Sequence, residues 1–233
     1  MHRLLSLTVL LSGFLSIGSL AHGAFAQTPA AQARSTEASE ARSKEDTRKV
    51  LLAFGDSISA GYGVAQGRSF PDDLQRKLDA AGYAWRVVNM GVSGDTTQGG
   101  VARIKTALAA KPSLVLLELG GNDGLRGLPL AAARANLDQM ITAFEHNGAK
   151  VVLAGMKIPP NYGPDYTTEF EKMYSDLAAK YKLTFIPFIM GDMMTPDLHY
   201  FQPDHIHPTA EGAEIVANSV LTAIKPLLGA PRR

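Results

Sequence analysis

VLLAFGDSISAGYG, Val50 to Gly63, joins an apolar run to a glycine-rich turn, and the architecture hangs on how that junction is read. The run, Val50 to Phe54, leads straight into Gly55-Asp56-Ser57, and Gly61 and Gly63 come close behind. A short apolar run bounded by a turn signal reads as a strand buried on both faces. The turn has several readings. Gly-Asp-Ser is ordinary turn chemistry, because glycine bends freely and Asp and Ser bond to nearby backbone. The same residues could instead hold a nucleophilic serine at the mouth of a sheet, with Asp56 bracing the loop. A phosphate cradle fits less well: Gly61 is followed by Tyr62-Gly63, where such a loop needs Lys and then Ser or Thr.

Beyond this stretch, short apolar runs alternate with amphipathic ones. Strands are expected at 50–54, 84–91, 113–120, 150–156 and 183–188. Helices are expected at 69–82, 96–110, 128–148, 165–181 and 207–228, with Pro71 in the first turn of one and Pro208 opening the last. Strict alternation implies right-handed crossovers and a parallel sheet between helical layers. The expected fold is therefore α/β, a three-layer α/β/α sandwich over residues 49–228. Its five-stranded parallel sheet is expected in the flavodoxin-like order 2-1-3-4-5. Residues 229–233 form a C-terminal tail. In such sheets function gathers beyond the carboxyl ends of the strands.

Composition narrows the function classes. The 233 residues are 45% hydrophobic and 19% charged, which suits one globular domain with a sizeable core. A net charge of +1 offers no excess of cations for a phosphate backbone, so no nucleic-acid partner is expected. The chain has no cysteine, which excludes thiolate catalysis, disulfides and cysteine metal sites. At the N-terminus, His2 and Arg3 precede an apolar run from Leu4 to Leu20 and the small-residue close Ala24-Phe25-Ala26. That order reads as a secretory signal peptide, residues 1–26. An uncleaved anchor is the alternative, though the run is short for a span and carries Ser and Gly. Residues 27–48 are rich in Ala, Ser and charge, without an apolar face, and read as a disordered tether. The expectation is export across the inner membrane to the periplasm, with no stable membrane anchor after cleavage.

The loops after the expected strands carry the chemistry. Ser57 follows strand one. Gly94, in NMGVSGDTT, follows strand two, as a turn glycine or as a backbone N–H that must come close to a ligand. Asn122, in ELGGNDGLRG, follows strand three. In DHIHP, Asp204 stands three before His207, so its carboxylate can accept from one imidazole nitrogen and leave the other as a base. A metal site from His199, Asp204, His205 and His207 is a rival reading, but no further His or Glu cluster completes a tetrahedron. No metal is expected. Acyl transfer needs a nucleophile, a base, an orienting carboxylate and donors for an oxyanion. Ser57, His207 and Asp204 fit the first three roles. The N–H groups of Ser57 and Gly94 and the amide of Asn122 fit the last. In the order 2-1-3 the three loops are neighbours, which turns separate weak signals into one constellation.

These four blocks resemble the SGNH hydrolases, also called the GDSL esterase/lipase family: GDSISAGYG, NMGVSGDTT, GGND and DHIHP, in that order. With IPPNYG (158–163), they are similar to its bacterial thioesterase, arylesterase and lysophospholipase branch. The resemblance spans about Val50 to Leu228. It implies Ser57 as nucleophile, His207 as base, Asp204 as its orienter, and Ser57, Gly94 and Asn122 as oxyanion donors. It implies no cofactor, a monomer, and a small-molecule or lipid acyl ester as substrate. The family commonly has glycine where this chain has His205. Leu125, Leu128, Ile158, Pro159, Tyr162 and Ile206 lie near the expected cleft, as plain packing or as an acyl groove. A carbohydrate acetylesterase on the same fold and a catalytically silent binding protein are the competing functions.

Overall fold

A computed structural model describes residues 46–232. The expected signal peptide at 1–26 and nearly all of the expected tether at 27–48 lie outside the described residues. The sheet belongs to the unit that begins at Thr47.

Five parallel strands lie in the expected order 2-1-3-4-5. They are β1 (Lys49–Gly55), β2 (Trp85–Asn89), β3 (Leu114–Glu118), β4 (Lys150–Ala154) and β5 (Thr184–Ile186). β1 is buried from Val50 to Gly55 and β3 along its whole length, as near-continuous apolar strands between two layers must be. The edge strands β2 and β5 are only half-buried. Register sets Gly55 level with Glu118, so the chain leaves β1 and β3 at the same height. Because β2 and β3 flank β1, right-handed crossovers send the β1–β2 connection over one face and the later ones over the other. The switch between β1 and β3 is where a doubly wound sheet opens a crevice.

The helices are α1 (Ser57–Ala60), α2 (Phe70–Ala80), α3 (Thr97–Ala102), α4 (Ile104–Ala109), α5 (Gly121–Leu125), α6 (Leu130–His146), α7 (Pro164–Tyr181) and α8 (Ala210–Ile224). α2 packs on α8, and α6 contacts both α3 and α7. α2 begins with a capping box, Ser69 with Asp72, and has Pro71 in its first turn. No helix among the described residues is long and apolar enough to cross a membrane.

Two expectations need correction. The helix expected at 96–110 is two helices, broken at Arg103. There the guanidinium turns back: Nε donates to Asp95 Oδ2 (2.7 Å), Nη1 to the Met90 carbonyl (2.6 Å) and Nη2 to the Gly55 carbonyl (2.8 Å). It also lies 3.9 Å over the Phe54 ring. Arg103 thus ties the loop after β2 to the end of β1. The last helix does not open at Pro208. Pro208 pairs with Phe201 in an antiparallel bridge, and Thr209 caps α8 by accepting from Gly212 N–H. The pairing holds the preceding loop back toward the sheet.

Gly55 leaves no room for a side chain. A Cβ there would lie 2.2 Å from both Glu118 Oε2 and Ser59 Oγ. Gly55→Ala should therefore destabilise by about 1–3 kcal/mol or more, as overpacking does. Denaturant melts check this, and an unchanged midpoint would contradict the packing described.

Candidate active site

α1 delivers Ser57. Asp56 is its N-cap: Oδ1 accepts from Ile58 N–H at 3.0 Å, and Gly61, at φ 78°, closes the turn in the left-handed region. Four residues of helix between two such caps leave Ser57 at the mouth of the sheet, largely buried.

The loop before α8 approaches from the far end of the sequence. His207 Nε2 lies 2.9 Å from Ser57 Oγ, and His207 Nδ1 lies 2.7 Å from Asp204 Oδ2. Asp204 Oδ1 accepts from the N–H groups of Ile206 (2.9 Å) and His207 (3.0 Å), so the carboxylate is anchored before it meets the ring. Partial burial pushes the Asp204 carboxyl up. The His207 N–H, the His207 imidazole and the Ile206 N–H outweigh that and bring it down to about 2. An ionised Asp204 accepts Nδ1–H and leaves Nε2 free to accept from Ser57. Tyr62 lies against the imidazole, ring centroids 4.6 Å apart, and Gln202 Nε2 holds that turn by donating to the Tyr62 and Pro208 carbonyls. His205 lines the same cavity as Ser57 and His207. It sits at φ 57°, the left-handed region, where glycine is at ease.

The three expected oxyanion donors lie on loops that Asn122 ties together. The backbone N–H groups of Ser57 and Gly94 donate to no acceptor among the described residues. Asn122 Nδ2 donates to Asp56 Oδ2 (3.1 Å) and to the Asp95 carbonyl (3.0 Å), which brings the loops after β1, β2 and β3 together. Gly94 has φ 79°, and a Cβ there would meet only Arg126 Nη2 at 3.6 Å. The dihedral, not space, is what calls for glycine. Asp123 fastens the start of α3 through Thr97 N–H (2.8 Å) and Oγ1 (2.6 Å).

Beside Ser57 opens a mostly apolar cavity of about 490 Å³. Of the residues expected near the cleft, Leu125, Ile158, Pro159 and Ile206 line it. Leu128 and Tyr162 stand outside: the Tyr162 hydroxyl donates to the Leu125 carbonyl, and the Leu128 carbonyl accepts from Tyr166. Met156, Phe188, Met190, Met194, Leu198 and Phe201 add to the apolar wall. They come from loops that carry no periodicity, so no sequence pattern points to them. His199, one member of the rival metal set, is turned to Asp197 at 2.8 Å. Among the described residues no group of three or more His, Asp or Glu side chains is arranged to hold a metal ion.

Asp56 does more than brace its loop, since it bonds both α1 and Asn122. Glu118 is a residue that sequence reasoning missed, and it is fully buried beneath them. A lone carboxyl at the end of the apolar run LVLLE was the available signal.

Residues 53–215 match the family model described as the GDSL-like Lipase/Acylhydrolase family. The chain is 42% identical over 181 residues to "Esterase TesA" of Pseudomonas aeruginosa, covering 77% of this chain and 90% of that one. It is 34% identical over 179 residues to "Thioesterase 1/protease 1/lysophospholipase L1" of Escherichia coli strain K12, covering 76% and 84%. A crystal structure of TesA superposes with a TM-score of 0.73 at 42% identity, over 77% of this chain and all of the other.

The depressed Asp204 carboxyl has a stability signature. A carboxyl lowered from 3.8 to about 2 contributes fully above the higher value, and the contribution disappears as pH falls through the lower one. Asp204→Asn should lower the urea midpoint near neutral pH, with the gap to the parent closing between about pH 4 and pH 2. A gap constant across that window would mean that Asp204 is not held ionised by His207.

Proposed function

The chain belongs to the GDSL-like lipase/acylhydrolase family and is an acyl ester and thioester hydrolase of that type; we propose that it works through an acyl intermediate on Ser57, outside the cytoplasm. The observation that carries this reading is the relay Asp204–His207–Ser57, with steps of 2.7 and 2.9 Å, beside the uncommitted backbone N–H groups of Ser57 and Gly94.

In the proposed mechanism His207 Nε2 takes the Ser57 proton as Oγ attacks the acyl carbonyl. Asp204 keeps Nδ1 protonated and balances the imidazolium. The oxyanion lies within the N–H groups of Ser57 and Gly94, and Asn122 shares one amide hydrogen with it. His207 then protonates the departing alcohol or thiol, and water clears the acyl group by the reverse proton path. The apolar cavity takes the acyl chain.

Export rests on the leader-like order of residues 1–26, and the periplasm is the compartment it implies. There a lysophospholipid or another acyl ester is a more natural substrate than acyl-CoA. An acetyl-sugar esterase is the competing reading. An apolar cavity of about 490 Å³ favours a longer chain.

Ser57→Ala should lose p-nitrophenyl ester turnover by on the order of 10⁴-fold or more while folded, and Asn122→Ala by on the order of 10²–10³ in kcat. Full turnover by folded Ser57→Ala would remove the serine from the mechanism. Across a series of straight-chain esters kcat/KM should rise by about fourfold per methylene until the cavity is filled, from ~0.8 kcal/mol per buried methylene. Best turnover of the acetyl ester would favour the acetylesterase reading.

A further inference from the structure

Glu118 ends β3 and is fully buried beneath the turn that carries Ser57. Its Oε2 is crowded with donors: Ser59 Oγ at 2.7 Å, Ser59 N–H at 3.2 Å and Asp56 N–H at 3.3 Å. Its Oε1 is buried and accepts from nothing among the described residues. Such asymmetry is costly for a carboxylate, whose two oxygens both need donors. It suits a carboxylic acid, in which one oxygen accepts and the other carries a proton to give away. The acidic side chain beside it belongs to Asp56, whose own backbone N–H donates to Glu118 Oε2 at 3.3 Å.

We propose that Glu118 is an un-ionised positioning residue: it donates a hydrogen bond to Asp56 and so holds Asp56 where it fixes both Ser57 and Asn122.

The surroundings decide which carboxyl keeps the proton. Two buried neighbouring carboxyls cannot both ionise cheaply. Asp56 has the Ile58 N–H, the Asn122 amide and the nearby His207 ring to favour its charge. Glu118 has only neutral donors. Arg103 is spent on Asp95 and on the Met90 and Gly55 carbonyls. From α7, the Tyr174 hydroxyl donates to the Leu119 carbonyl, and Asp123 of α5 faces Thr97. Burial, and next the charge of Asp56, push the Glu118 carboxyl well above the usual carboxylate range. Burial also raises Asp56, with the Ile58 N–H, Glu118, His207 and Asn122 pulling against it.

The consequence runs outward. Asp56 Oδ1 caps α1, and Oδ2 holds the Asn122 amide. With the third bond from Glu118, Asp56 has no freedom to turn. Without it, Asp56 keeps only the Ile58 and Asn122 bonds, and a turn of its carboxylate takes Asn122 with it.

This inference rests on the reading of Ser57 and Asn122 given above, and its test separates the two. In Glu118→Gln an amide N–H can replace the acid O–H toward Asp56 while the carbonyl still accepts from Ser59. In Glu118→Ala both are lost. Glu118→Gln should keep kcat within about threefold of the parent, and Glu118→Ala should lose about tenfold or more with KM little changed, since the donors act on the transition state. An infrared difference spectrum, parent minus Glu118→Gln at neutral pH, should show the C=O stretch of a protonated carboxyl in the parent alone. The proposal is overturned if that band is missing from the parent or persists in Glu118→Gln, if Glu118→Gln is as slow as Glu118→Ala, or if Glu118→Ala is as fast as the parent. Should Glu118→Ala not fold, the band and the kcat of Glu118→Gln still decide. A parent that cleaves no ester would refute the hydrolase reading, while the band would still report the proton on Glu118.

Discussion

The Glu118 carboxyl occupies the space where Gly55, if it were any other residue, would carry its Cβ. Two neighbouring parallel strands, β1 and β3, end level with one another, and a carboxyl from one reaches under the turn that leaves the other. The loops after β1, β2 and β3 are referenced to that contact. Glu118 bonds Asp56 and Ser59 on either side of Ser57. Asp56 bonds Asn122, and Asn122 bonds the Asp95 carbonyl next to Gly94. The three loops are therefore placed by one continuous set of bonds rather than by three separate turns. A group that must meet a transition state within tenths of an ångström gains from such mutual bracing.

The acidic side chains gathered there are given different tasks by their surroundings. Asp204 has two backbone donors and an imidazole and is held ionised. Asp123 is spent on the cap of α3, and Asp95 on Arg103. Glu118 is fully buried and accepts from the neutral donors of Ser59 and Asp56. Environment separates roles that residue type alone would leave equal. The cavity follows a different logic. Its wall is Met, Phe, Ile and Leu, which take apolar chains of varied shape without needing directional partners.

Strand order and layering were legible because five apolar runs, alternating with amphipathic stretches, leave few topologies that obey right-handed crossovers. Arg103 shows where that legibility stops. Nothing in TTQGGVARIKTALAA announces that its one arginine will break the helix to reach three loop acceptors. α1 and α5 are too short for periodicity to reveal. Pro208 reads as a helix opener by propensity, yet its backbone is claimed by Phe201. At the site, the residue types and their places after strands were readable. The distances between them were not, since they depend on loop conformations such as the positive φ of Gly94 and His205. The cavity wall from Phe188 to Phe201 was invisible for the same reason.

Whether Ser57 Oγ is the attacking atom, armed by His207, is decided by mass spectrometry of the intact chain after incubation with an activated phosphonate ester, followed by peptide mapping. One phosphonyl adduct is predicted, on the peptide that contains Ser57, and it should form slowly when His207 is replaced by alanine. A folded chain that takes no adduct, or takes it on another residue, would refute the role given to Ser57.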